Sequence, residues 1–179
     1  MQPCDEMKRL LILPFLVLAL NARADVDAGV LAYNAKDYET AKKEFVAAAD
    51  AGDALGLHML ASLYYSGRGV ERDTKRAAEL YAAAAAKGLR SSQANLGLMY
   101  QKGDGVDQDI IKAISYFEAA AKQGDVQASF QLGQIYRKGE GVPADFTRAL
   151  AYYKMGAMQG DVPSANEYGL CFVEGSRPD

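Results

Sequence analysis

The sequence contains no tryptophan, one histidine (His58) and two cysteines (Cys4 and Cys171). That scarcity closes most routes to catalysis. No two of these side chains fall at the spacing of a metal site, and a lone histidine has no partner to make a nucleophile and base pair. Positive charge is also short: the formal net charge is -3 over 179 residues, so there is no basic surface for a nucleic acid. β-Branched residues are few and prolines number five. What is abundant is alanine, leucine, glycine and tyrosine, a balance that favours closely packed helices over strands. The length suits one domain.

The first residues read as an export signal. Lys8 and Arg9 precede an apolar run from Leu10 to Leu20, and Ala22-Arg23-Ala24 follows as a small-x-small cleavage site. Residues 1–24 are therefore expected to be removed, leaving a chain that starts at Asp25. The run is short for a bilayer span, which disfavours an uncleaved anchor. No stable membrane insertion is expected after cleavage, and the expected location is periplasmic or secreted. Met7 directly precedes the basic pair and is an alternative start. Cleavage removes Cys4, so Cys171 is left alone and no intrachain disulfide is possible. The loss of Lys8, Arg9 and Arg23 against Asp5 and Glu6 makes the remainder slightly more acidic.

Beyond the signal, the chain repeats itself at an offset of 36 residues. Gly67, Gly103, Gly139 and Gly175 form one column, and Gly52, Gly88, Gly124 and Gly160 another. Tyr64, Tyr100 and Tyr136 keep step with them, as do Gly69, Gly105 and Gly141; Val70, Val106 and Val142; Asp73, Asp109 and Asp145; Ala77, Ala113 and Ala149; and Tyr81, Phe117 and Tyr153. A period of this length marks a stacked array of supersecondary units.

Each column has a physical task. Ala128, Leu132, Gly133 and Tyr136 lie on one face of a helix. Gly139 is placed to end that helix at positive φ, Gly141 to allow a second bend, and Val142 to pack back under the loop. Asp145 offers an acceptor to the free N–H groups of a second helix, along which Ala149, Tyr153 and Ala157 recur every fourth residue. The small residues Gly97, Gly133, Ala113 and Ala149 are expected to let helix axes approach closely. The Tyr and Phe columns are expected to fill the space between successive pairs. A single pair cannot bury its apolar face and depends on its neighbours.

The segment LGLMYQKGDGVDQDIIKAISYFEAAAKQGD, Leu96 to Asp125, resembles the Sel-one-like repeat (SLR) family, a relative of the tetratricopeptide repeats. The resemblance implies an all-α fold, a right-handed α/α solenoid of about four helix pairs plus a terminal helix. Its units run at about 25–52, 53–88, 89–124 and 125–160, with a partial unit at 161–175. Ala61 replaces the preferred glycine in the first full copy. The stretch before it lacks the glycine-x-glycine-valine loop and is closer to a plain tetratricopeptide unit. The resemblance also implies an interaction scaffold that needs no cofactor. Cysteine-rich members of the family are linked to hydrolysis of cell-wall or β-lactam compounds, but they carry a cysteine pair in each repeat, which this chain lacks.

In tetratricopeptide-like stacks the first helices line the concave side, so their non-core stripe is the candidate surface for a protein or peptide partner. That stripe is Leu55, Met59, Ser62 and Ser66 in the first copy; Ser91, Asn95, Leu98 and Lys102 in the second; and Gln127, Gln131, Gln134 and Lys138 in the third. One end is apolar, the other rich in amides and basic. His58 shares a column with Ala94 and Phe130 and reads as a packing or surface residue. Gly67-Arg68-Gly69 lacks the Lys-Ser/Thr of a nucleotide loop and reads as turn geometry. Arg76, Lys112 and Arg148 follow the Asp column by three residues and read as solvated cations paired locally with Asp. The last helix, expected from Pro163 to Val173, has no second helix of its own. Tyr168, Cys171 and Phe172 are expected to be partly covered there, with Cys171 as a buried, inert thiol, and weak self-association through this helix is the corresponding expectation.

Overall fold

The structure, a computed structural model, describes residues 26–175, with side chains as far as Cys171. The expected export signal and cleavage site of residues 1–24, Asp25 and the side chain of Phe172 lie outside the described residues. Among the described residues there are nine helices and no strand. They are α1 (26–34), α2 (Tyr38–Asp50), α3 (Ala54–Ser66), α4 (Thr74–Ala86), α5 (Arg90–Lys102), α6 (Ile110–Lys122), α7 (Val126–Lys138), α8 (Phe146–Ala157) and α9 (Val162–Gly175). The fold is all-α and built from repeated helix pairs. It divides into two compact units, one ending at Lys87 with α1–α4, the other beginning at Gly88 with α5–α9.

Helix boundaries follow from local chemistry. The second helices α4, α6 and α8 start on Asp73, Asp109 and Asp145, whose carboxylates accept the backbone N–H of Arg76, Lys112 and Arg148 at 2.9 Å. α3 and α7 start in the same way on Asp53 and Asp125. α5 does not: Leu89 stands at its cap position and offers no side-chain acceptor. α3, α5 and α7 end on Gly67, Gly103 and Gly139, all with φ near 70°, where only glycine avoids the cost of a left-handed backbone.

The second loop glycine does more than bend the chain. A Cβ on Gly141 would lie 2.8 Å from the Cβ of Ile110, so the loop closes directly onto the first turn of α6 in the preceding pair. Gly69 sits against Tyr38 at the start of α2 in the same way. These two loops therefore dock their pair on the preceding one within the same unit, a long-range role added to the local bend.

The aromatic column lies in the core. Phe45, Tyr81, Phe117 and Tyr153 are each no more than 3% exposed, and each fully buried ring contributes roughly 1.5–3 kcal/mol of apolar transfer. Their seats differ from the sequence expectation. The rings do not simply fill space between successive pairs. Phe117 packs against Gly97 and Tyr153 against Gly133, within their own pairs, at 2.7 Å and 2.5 Å from where a Cβ would stand. Gly97 and Gly133 are therefore seats for rings of the paired helix, and further small residues sit where one pair meets the next. Where a second helix meets the next first helix, the pairs are Ala48 with Gly56, and Gly156 with Ser164. A loss of volume on one side is matched by a gain on the other, which preserves native packing density.

Candidate functional site

In the first unit, Leu55, Met59, Ser62 and Ser66 follow one another along α3 at spacings of four, three and four. None is buried, and Leu55 is 42% exposed. The hydroxyl of Ser66 donates to the carbonyl of Ser62 at 2.7 Å, so that donor is already engaged by the helix. Beside Leu55 lies a cleft of about 240 Å³ lined also by Val26, Asp27 and Asp53. This is the apolar part of the stripe.

In the second unit, Ser91, Asn95 and Leu98 on α5 are half-buried and Lys102 is exposed; on α7, Gln131 and Gln134 are half-buried and Gln127 and Lys138 exposed. α5 touches α7 directly, which sets the two stripes on neighbouring helices. Lys138 pairs with Glu140 at 3.5 Å, and Glu140 also accepts from Gln101 at 3.3 Å, so the cationic end is partly neutralised. The same register continues onto α9 at Glu167 and Leu170, an extension missed in the sequence although the 36-residue offset gives it directly. Leu170 is 54% exposed, and Glu167 pairs with Arg137 of α7 at 3.6 Å. Amide and carboxylate groups thus run across α5, α7 and α9 beside a row containing Leu98 and Leu170. Such an array can hydrogen-bond an extended backbone and accept an apolar anchor.

The remaining ionisable groups serve the packing. His58 lies against the ring of Tyr81, centroids 5.3 Å apart, and burial holds its imidazole below the usual histidine range. Phe130 occupies the same column and meets Tyr153 in the same manner, which marks His58 as an aromatic packing residue. Cys171 is buried at 5% exposure, in line with the buried thiol expected there, while Tyr168 is half-buried. α9 itself is longer than the expected Pro163 to Val173. Burial, reinforced by the neighbouring Glu167 charge, pushes the Tyr153 hydroxyl up to about 12. Among the described residues no cluster of His, Cys, Asp and Glu is placed to hold a metal ion.

The basic column has a role that spacing alone did not reveal. Lys112 and Arg148 pair with Asp109 and Asp145 at 3.3 Å, and each also sits 5.2 Å from the ring centre of Tyr100 or Tyr136. Those rings stack in turn on Tyr116 and Tyr152 of the second helix. Arg76 departs from the expected Asp pairing and bonds Glu79 at 2.9 Å. Lys112 and Arg148 are thus staples of the two hairpins α5–α6 and α7–α8, with Tyr152 held further by a 3.0 Å hydrogen bond to Glu118.

Helix pairs joined by glycine-x-glycine loops, with rings seated on glycines of the first helices, define an α-helical repeat protein. The Sel1 repeat matches three times, over residues 54–89, 90–125 and 126–161, and the chain belongs to the Sel1 repeat family. Sel1 repeats commonly mediate protein–protein interaction, and the frame is typically non-enzymatic. Among solved structures, a protective antigen of uropathogenic Escherichia coli strains with an SLR fold is similar at 28% identity and a TM-score of 0.80, over 87% of this chain and 34% of its own. A Sel1 repeat protein from Oxalobacter formigenes is similar at 34% identity and a TM-score of 0.77, over 84% of this chain and 62% of its own. This chain thus spans only part of either relative. Cysteine-rich protein B of Helicobacter pylori, 19% identical with a TM-score of 0.54 over 71% of this chain and 95% of its own, shares the fold. A comparison with curated proteins finds no match.

Proposed function

We propose that the protein is an exported scaffold that holds a protein or peptide partner on the outward stripes of its first helices. The observation that carries this reading is the character of the stripe in the second unit. Asn95, Gln131 and Gln134 are only half-buried, on helices whose other face is in the core. Leu98, Lys102, Gln127 and Lys138 complete the surface there, and Leu55, Met59 and Ser62 supply the apolar surface of the first unit. Family membership supports the class of ligand, since Sel1 repeats commonly engage proteins. Export rests on the basic pair, apolar run and small-x-small site of residues 1–24. No helix among the described residues is long and apolar enough to cross a membrane.

The test compares proteins captured from the exported fraction by the wild type, by Lys102→Glu/Lys138→Glu and by Lys154→Glu. A partner retained by the wild type and by the Lys154 variant, but lost or weakened at least tenfold in the double variant, is the expected result. Identical capture by all three contradicts the assignment of these stripes.

A further inference from the structure

The loop of the third copy closes on an apolar surface. Gly141 meets Ile110, and Ile110, Ile114 and Val142 belong to one hydrophobic cluster in which Ile114 is buried. The loop of the first copy closes in the same way on α2, where Gly69 meets Tyr38. One turn further along α2 the chemistry departs from the repeat. α2 and α6 begin at Tyr38 and Ile110, so Lys42 stands in the column of Ile114. A half-buried ammonium cannot complete an apolar seal. At this place lies a cleft of about 610 Å³, lined by Lys42, Tyr64, Val70 and the first residues of α4. Its size is that of a small-molecule site.

A second departure falls on the same cleft independently. Tyr100 and Tyr136 are each covered by a stacked ring, Tyr116 or Tyr152, and by a cation, Lys112 or Arg148. Among the described residues Tyr64 has neither: Leu80 holds the column of Tyr116 and Tyr152, and Arg76 pairs with Glu79. Its half-buried ring is left to line the cleft. The loop changes with it. Glu71, Thr74 and Lys75 line the cleft where the third copy has Pro143, Phe146 and Thr147. Among the described residues no ion pair engages Lys42, Lys75 or Glu71, and no hydrogen bond engages the hydroxyls of Tyr64 and Thr74. Arg72 and Asp73 also line the cleft, but Arg72 donates to the Tyr65 carbonyl and Asp73 accepts the Arg76 N–H.

We propose that this cleft binds a small acidic sugar, a polyhydroxy ring bearing one phosphate or carboxylate group. The ammonium groups of Lys42 and Lys75 hold the anion through charge-assisted hydrogen bonds. The Tyr64 and Thr74 hydroxyls bond the sugar's oxygens, and the Glu71 carboxylate accepts from its hydroxyls. The Tyr64 ring offers an apolar face with a polar tip, which matches a ring that is apolar on its face and polar at its rim. With Arg72 and Asp73 cancelling, Lys42 and Lys75 outweigh Glu71 by one charge, which favours a net anion over a zwitterion. No residue of the α3 stripe lines the cleft, so this site stands or falls separately from the proposed function.

The experiment titrates the full chain by isothermal calorimetry with glucose 6-phosphate and with glucuronate, taking glucose and inorganic phosphate as references. The expected result is saturable binding of at least one acidic sugar, about tenfold or more tighter than either reference; which of the two binds better tells phosphate from carboxylate. Lys42→Ile installs the residue found at Ile114 and should stay folded by circular dichroism while weakening binding by about tenfold, the worth of one charge-assisted hydrogen bond. Lys75→Ala, at an exposed position, should act likewise. Lys43→Ala, which removes a charge from the exposed neighbour of Lys42, should leave binding unchanged. The proposal is overturned by no saturable binding of either acidic sugar, by inorganic phosphate binding as tightly as glucose 6-phosphate, by undiminished binding in the Lys42 and Lys75 variants, or by an equal loss in the Lys43 variant.

Discussion

The ring of Tyr153 rests on Gly133 so closely that a Cβ at that glycine would stand 2.5 Å from the ring's Cε1. No side chain tolerates that approach, so glycine is required by its neighbour and not by its backbone angle, which is helical. Gly133→Ala should therefore destabilise the second unit by about 1–3 kcal/mol through overpacking. Gly169→Ala, in the same register and with none of the described residues within 4 Å, should be neutral or stabilise by up to about 1 kcal/mol through helix propensity alone. Urea unfolding midpoints of the two variants measure the contrast, and equal midpoints would contradict the ring seat.

The start of α5 offers an opposite case, in which a substitution should help. Asp53, Asp125 and Asp161 each accept an N–H in the first turn of their helices, while Leu89 in the same column cannot. Leu89→Asp should stabilise the chain by about 0.5–1 kcal/mol, the usual worth of a cap less some lost apolar contact. A higher thermal midpoint checks this; a lower one would mean that the packing of Leu89 outweighs the missing acceptor.

How far the fold was legible follows from these residues. The Asp caps, the Gly ends and the four-residue alanine spacing act within a few residues of themselves, so a 36-residue offset displays them directly. Leu89 was legible in the same way, as a break in an aspartate column. What spacing could not say is which helix receives a ring: Tyr153 on Gly133, or Gly141 against Ile110, depends on how two helices are set side by side. The cation over Tyr100 and Tyr136 was hidden for the same reason, since Lys112 and Arg148 reach them only once the hairpin closes. The stripe was legible as far as α7, and its continuation to Glu167 and Leu170 needed only one more step of the period. Its ligand is not written in periodicity at all, because the repeat frame is common to unrelated clients and recognition lies in its variable residues.

His58 gives the chain a defined pH response. Burial against Tyr81 lowers its folded pKa below that of an ordinary histidine, so the neutral ring is the form the core accepts. Its contribution to stability is complete above about pH 6.5 and is lost as pH falls from there through the lowered folded value, because the unfolded chain takes up the proton first. His58→Phe, the residue type found at Phe130, should flatten that part of the stability profile. Denaturation at a series of pH values on both proteins reads the difference; parallel profiles would contradict a buried neutral imidazole.

Site-specific photo-crosslinking reads whether a partner sits on the first-helix stripes. A photoreactive amino acid placed at Gln131 should capture a discrete partner band from the exported fraction, while the same group at Lys154, on the second helix α8, should not. Crosslinks of equal yield from both positions, or from Lys154 alone, would contradict the account.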